Sequence, residues 1–153
     1  MAYALSILHV TREWHSDSRY GLGKSLSYLN CELEARGALV AYVSQECLSP
    51  RALNWRRRIL RWLGDGPFRQ YPDRQLLAGA LLERMQVALA AVRKARAEGF
   101  ACIHAHDPWT GFFVWFFLRA LQGRTISFGV TEHGFGAYFR AVQLDGLSIG
   151  PRA

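Results

Sequence analysis

Cysteine is scarce: Cys31, Cys47 and Cys102 are scattered, odd in number and share no ligand spacing. That disfavours a disulfide framework or a cysteine-bound zinc, fits a reducing compartment, and leaves the three thiols to be read as small apolar core groups. Long apolar runs are also missing. The longest candidate, Phe112 to Leu118, falls far short of the roughly 18 residues that span a bilayer and reads as a buried helix. The opening Met1-Ala2-Tyr3-Ala4-Leu5 has neither a basic region nor a long apolar stretch, so no signal peptide is expected. No internal repeat and no low-complexity tract interrupts the chain.

Acid is in short supply relative to base. Twelve Asp and Glu against 19 Lys and Arg leave a formal net charge of +7. The excess is local, with seven arginines and two aspartates between Arg51 and Arg74. Such a patch points to an anionic partner: phosphate, nucleic acid or a membrane surface. With 153 residues, half of them hydrophobic, the chain has the size and composition of one globular domain with a core.

Short apolar stretches alternate with helical spacing. Leu5 to Val10 reads as a buried strand, followed by a polar loop from Thr11 that ends in Gly21-Leu22-Gly23-Lys24. Leu26, Leu29 and Leu33 then recur on one helix face, and Gly37 is placed to stop that helix. Leu39 to Val43 is a second strand. Pro50 to Trp62 reads as a helix, Gly64 to Pro72 as a loop, and about Asp73 to Glu98 as a long helix. Phe100 to Ala105 is a third strand, broken by His106-Asp107-Pro108. Thr110 to Leu121 is an apolar helix and Thr125 to Val130 a fourth strand. This alternation predicts an α/β fold: a Rossmann-like parallel sheet with helices on both faces and Leu5–Val10 inside it.

In open parallel sheets, ligands bind outside the carboxyl ends of the strands. Three connections there carry unusual residues: Gly21 with Gly23, His106-Asp107-Pro108, and Glu132-His133-Gly134. Without a Cβ, the two glycines let a phosphate approach the main chain, at a helix end whose N–H groups are free. His106, at a strand end, can exchange a hydrogen bond with a sugar hydroxyl. His104, two residues earlier, faces the same side but is expected to lie deeper. The spacing groups no obvious metal ligands.

These residues carry a resemblance. Gly21-Leu22-Gly23-Lys24 entering a helix that ends Leu33-Glu34-Ala35-Arg36-Gly37 is similar to the glycine-loop opening of family 4 glycosyltransferases of GT-B fold. Ile103-His104-Ala105-His106-Asp107-Pro108 resembles that family's H-x-H-D/E-P strand end, and Val130-Thr131-Glu132-His133-Gly134 its T-x-H-G pattern. Order and spacing agree across roughly residues 5 to 140. The resemblance implies retaining transfer of a hexose from a nucleotide sugar to a saccharide or lipid-linked acceptor, with no obligatory metal or other cofactor. It makes His106 the residue facing the reacting sugar and puts Gly21, Leu22 and Gly23 at the donor diphosphate. Arg12, Arg19, Lys24, Asp107, Glu132 and His133 fall on the acceptor side. Residues 1–153 would then be a truncated N-terminal domain. The paired-glutamate, donor-binding domain of the family is absent from the sequence, so a missing C-terminal domain or a partner chain is expected to complete the site.

On a helical wheel, Leu53, Trp55, Ile59, Leu60, Trp62 and Leu63 share one half, while Arg51, Arg57, Arg58 and Arg61 share the other. Arg56 falls within the apolar arc. Tryptophans flanking a basic face suit reversible docking on an anionic membrane; the same pattern suits a helix that packs its apolar half on the sheet. The expected location is cytoplasmic, peripheral to the inner face of the membrane. Two alternatives remain from the residues. Gly23-Lys24-Ser25 matches the end of a P-loop, although the pattern's first glycine falls on Ser18 and residues 11–17 separate it from the strand. The arginines and tryptophans also suit a basic nucleic-acid-binding module, but no nucleic-acid motif accompanies them and no such partner is expected.

Overall fold

The computed structural model of the chain describes residues 5–11, 21–121 and 125–131. Among these residues four strands and four long helices follow in the order β1 (Ser6–Val10), α1 (Gly21–Ala35), β2 (Leu39–Val43), α2 (Pro50–Asp65), α3 (Pro72–Glu98), β3 (Cys102–Ala105), α4 (Pro108–Ala120) and β4 (Ser127–Val130). A 3-10 turn, Gln45–Cys47, links β2 to α2. The strands form one parallel sheet in the order β2-β1-β3-β4. The expected α/β architecture with β1 inside the sheet is present.

Local chemistry sets the ends of these elements. Ser49 caps α2 through its hydroxyl to the Ala52 amide, with Pro50 in the first turn. Such a cap stabilises a helix by about 1 kcal/mol. Gly37 and Gly99 adopt φ of +81° and +77°, the left-handed conformation that closes α1 and α3 and that side chains with a Cβ resist.

The two faces of the sheet differ. Leu8, Val10, Val43 and Ile103 meet Val87, Ala88, Ala91, Val92 and Ala95 of α3 and Val114 of α4 in the apolar core. Because β2 and β3 lie on opposite sides of β1, right-handed crossovers put α1 on the face opposite α3. Leu26 of α1 is accordingly buried outside that core cluster.

Several expectations need adjusting. Gly21 and Gly23 belong to the first turn of α1 and not to a loop before it, and Gly64 ends within α2. Leu29 is exposed and the buried face of α1 carries Leu26 and Asn30, because the helix rests along β2 at the sheet's margin. Cys31 and Cys47 are exposed; only Cys102 is partly buried, and burial raises its thiol pKa. An 18-residue window of α3 reaches a mean hydropathy of 1.3, so by length and composition this one helix could cross a bilayer although no uninterrupted apolar run does. Its packing against the sheet and α4 accounts for that apolarity.

Ile103 is fully buried at the centre of the core, whereas Leu76 is 59% exposed. Ile103→Ala should therefore cost about 2–5 kcal/mol in urea denaturation, and Leu76→Ala less than about 0.5. Equal costs would contradict this placement of the core.

Candidate functional site

The chain leaves β1 towards β2 on one side and returns at β3 on the other, which makes the β1/β3 boundary the switch point of the sheet. The residues on that boundary are set by register. His9 pairs across β1 and β3 with His104, and across β1 and β2 with Tyr42. Strands about 4.8 Å apart place paired side chains side by side on one face. His106 follows His104 by two residues, so it joins the same face one step nearer the strand ends.

The result is a cluster of three imidazoles. His9 Nδ1 and His106 Nε2 are 2.8 Å apart, so one ring donates N–H and the other accepts. The ring centroids of His104 and His106 lie 4.2 Å apart, and His9 stacks on both His106 and Tyr42. His104 Nε2 meets the Thr131 hydroxyl at 2.7 Å. His9 is 1% exposed and His106 6%; His104 is half-buried and is the ring with a path to solvent. Burial, and then the charge that a protonated His104 would carry, lowers the His9 pKa to about 4. Burial, then Glu34 and Cys31, pushes Tyr42 up to about 12. At neutral pH the His9 ring is neutral, able to donate and accept hydrogen bonds in a setting of reduced dielectric. Among the described residues, His9 Nε2, Thr11 Oγ1 and both amide atoms of Asn30 are buried without a hydrogen-bond partner.

The expectation that His106 is the more open of the β3 histidines is reversed: His106 is buried and His104 is not. The cause is His9, whose ring covers His106 from the neighbouring strand. His9 was missed as a site residue because the sequence does not say which strands are neighbours. Thr131 was missed for the same reason.

Asp107 holds structure together. Its carboxylate caps α4 by accepting from the Thr110 amide at 2.9 Å and from the Thr110 hydroxyl, and it pairs with Arg84 of α3 at 3.2 Å. Gly21, Leu22, Gly23 and Lys24 form the first turn of α1, beyond the carboxyl end of β1, and Lys24 is exposed. Arg12, Arg19, Glu132 and His133 lie outside the described residues. On α2, Arg51, Arg57, Arg58 and Arg61 are exposed, as are Trp55 and Trp62. Arg56, the wheel's exception, turns inward to pair with Glu83 of α3 at 3.4 Å. A groove of about 460 Å³ between α2, α3 and the 3-10 turn, lined by Leu48, Trp55, Met85 and Leu89 among others, lies away from the imidazole cluster.

The His9 shift makes stability pH-dependent. Its folded pKa lies below the model-peptide value of 6.5, so between about pH 6.5 and 4 the unfolded chain binds the extra proton. The contribution is full above pH 6.5 and is lost as pH falls, by at most about 3 kcal/mol. Urea midpoints of chelator-treated protein should drop over this window, and His9→Gln should flatten the slope. An unchanged slope in that variant would contradict the assignment.

No known protein family, curated protein or solved structure matches this chain. The switch point of this parallel α/β sheet is occupied by three imidazoles.

Proposed function

We propose that this chain is the acceptor-side, Rossmann-like half of a retaining glycosyltransferase, moving a hexose from a nucleotide sugar to a saccharide or lipid-linked acceptor. The observation that carries the reading is the position of His106, at the carboxyl end of β3 on the switch point with β1. That is where open parallel sheets collect their ligands. His106 faces the reacting sugar in this reading. Packed against the buried His9 ring, it would offer a hydrogen bond strengthened by low dielectric. In this reading the first turn of α1, Gly21 to Lys24, offers its main-chain amides and the positive end of the helix to the donor diphosphate. Arg12, Arg19, Glu132 and His133 keep acceptor-side roles by resemblance alone. Asp107 serves the site indirectly, as the cap that fixes α4 to the end of β3.

A second feature supports a lipid-linked acceptor. Trp55 and Trp62, 47% and 66% exposed, flank the exposed Arg57, Arg58 and Arg61 on α2. Each arginine near an anionic surface contributes about 1 kcal/mol, enough for reversible docking at the cytoplasmic face of a membrane. Arg58→Glu with Arg61→Glu should abolish cosedimentation with phosphatidylserine-containing vesicles and leave thermal stability within about 0.5 kcal/mol. Undiminished sedimentation would remove the membrane from the account.

Retaining transfer needs the donor held in register against the acceptor, and positioning of this kind supplies several kcal/mol of the barrier. In this reading a second domain or a partner chain supplies the opposite wall. The 153-residue chain should therefore bind nucleotide sugars weakly and turn none over. The test incubates it with a panel of nucleotide sugars and saccharide or lipid acceptors. Weak binding that falls at least tenfold in His106→Ala, with no product, is the expected result. Turnover by the chain alone would refute the incomplete site. Tight magnesium–ATP binding would favour the P-loop reading of Gly23-Lys24-Ser25, and oligonucleotide binding that falls steeply with salt would favour a nucleic-acid module.

A further inference from the structure

His9, His104 and His106 gather at one sheet boundary, and what they can bind does not depend on glycosyl transfer. Their potential ligand atoms all lie within 4.8 Å of one another. A tetrahedral zinc ion with bonds of about 2.0–2.1 Å holds its nitrogens roughly 3.4 Å apart. The His9–His106 contact of 2.8 Å would need to widen by only about 0.6 Å to reach that spacing, replacing one N–H···N bond by two metal–nitrogen bonds. Rotations of buried rings by small angles supply such a shift without moving the strands.

The rest of the environment fits the same purpose. His9 lies on β1, His104 on the paired β3 and His106 just beyond its end, so strand pairing brings the three rings together. The Thr131 hydroxyl engages His104 Nε2 and fixes that ring's orientation, as partners of metal-bound histidines commonly do. Half-buried His104 gives an ion an entry path, while His9 and His106 are shielded from water. The buried Nε2 of His9 has no hydrogen-bond partner among the described residues, so that ring is not fully satisfied. Among the described residues no carboxylate belongs to the group, and an all-imidazole set suits zinc or its neighbours better than calcium or magnesium.

We propose that His9, His104 and His106 bind one divalent transition-metal ion of the zinc type, leaving a fourth position for water or an oxygen ligand. Binding displaces the proton shared between His9 and His106 onto a ring nitrogen that does not face the ion, or into solvent; no redox change is involved.

The test uses the full chain carrying Cys31→Ser and Cys47→Ser, so that the exposed thiols take no metal. After chelator treatment it is titrated with zinc chloride by calorimetry. One equivalent should bind, and the affinity should fall at least about tenfold in His9→Gln and again in His104→Gln. Cobalt(II) in place of zinc should give the visible bands of a four-coordinate ion without thiolate charge transfer. Since His9 is buried and its replacement costs stability, a second measurement keeps every histidine in place. Zinc should shift the imidazole nitrogen resonances of His9, His104 and His106 together, at one equivalent. Absence of binding, or binding that leaves those three rings unshifted, would overturn the proposal.

Discussion

The parallel pairing of β1 with β3 places His9 against His104 and brings His106 under the His9 ring. Polar rings buried in this way cost about 1–3 kcal/mol each when unsatisfied, a cost that the His9–His106 and His104–Thr131 hydrogen bonds offset in part. That reciprocity makes the group sensitive to register. A slip of one residue between the strands would turn His9 into the apolar core and bring Leu8 to the polar face. The core beneath therefore does more than stabilise. Leu8, Val10 and Ile103, locked against α3, hold the imidazoles in place from behind the sheet.

A second constraint ties the site to the helices. Arg84 and Asp107 join α3 to the start of α4 just after His106. Both side chains are largely buried, and removing one partner of such a pair leaves an uncompensated charge. The pair and the cap together fix how the chain turns away from β3, and so where the end of that strand lies. Arg56 and Glu83 do the same between α2 and α3, leaving the outer arginines of α2 directed to solvent. One face of the molecule thus carries imidazoles at strand ends, while its flank carries tryptophan and arginine.

Much of this was legible from residue order. The four strands, the long α3 and the stop at Gly37 follow from spacing and from the left-handed conformation glycine tolerates. The shared face of His104 and His106 follows from the two-residue period of a strand. His9 was not legible as their partner, because its role depends on β1 lying next to β3, a long-range pairing that no local pattern records. Nor was the burial of His106, which a neighbouring strand imposes. Asp107-Pro108 reads equally well as a site residue or as a helix start, and only Arg84, 23 residues away in sequence, decides how the carboxylate is used. The exposed Cys31 and Cys47 show the limit of arguing burial from residue type alone.

The central claim is that His9 and His106 share a hydrogen bond across the switch point. Long-range proton–nitrogen spectra of selectively labelled, metal-free protein test it most directly. The account predicts a scalar coupling between His9 Nδ1 and His106 Nε2, with His9 neutral down to about pH 4. Two rings that show no coupling and titrate independently near 6.5 would contradict it.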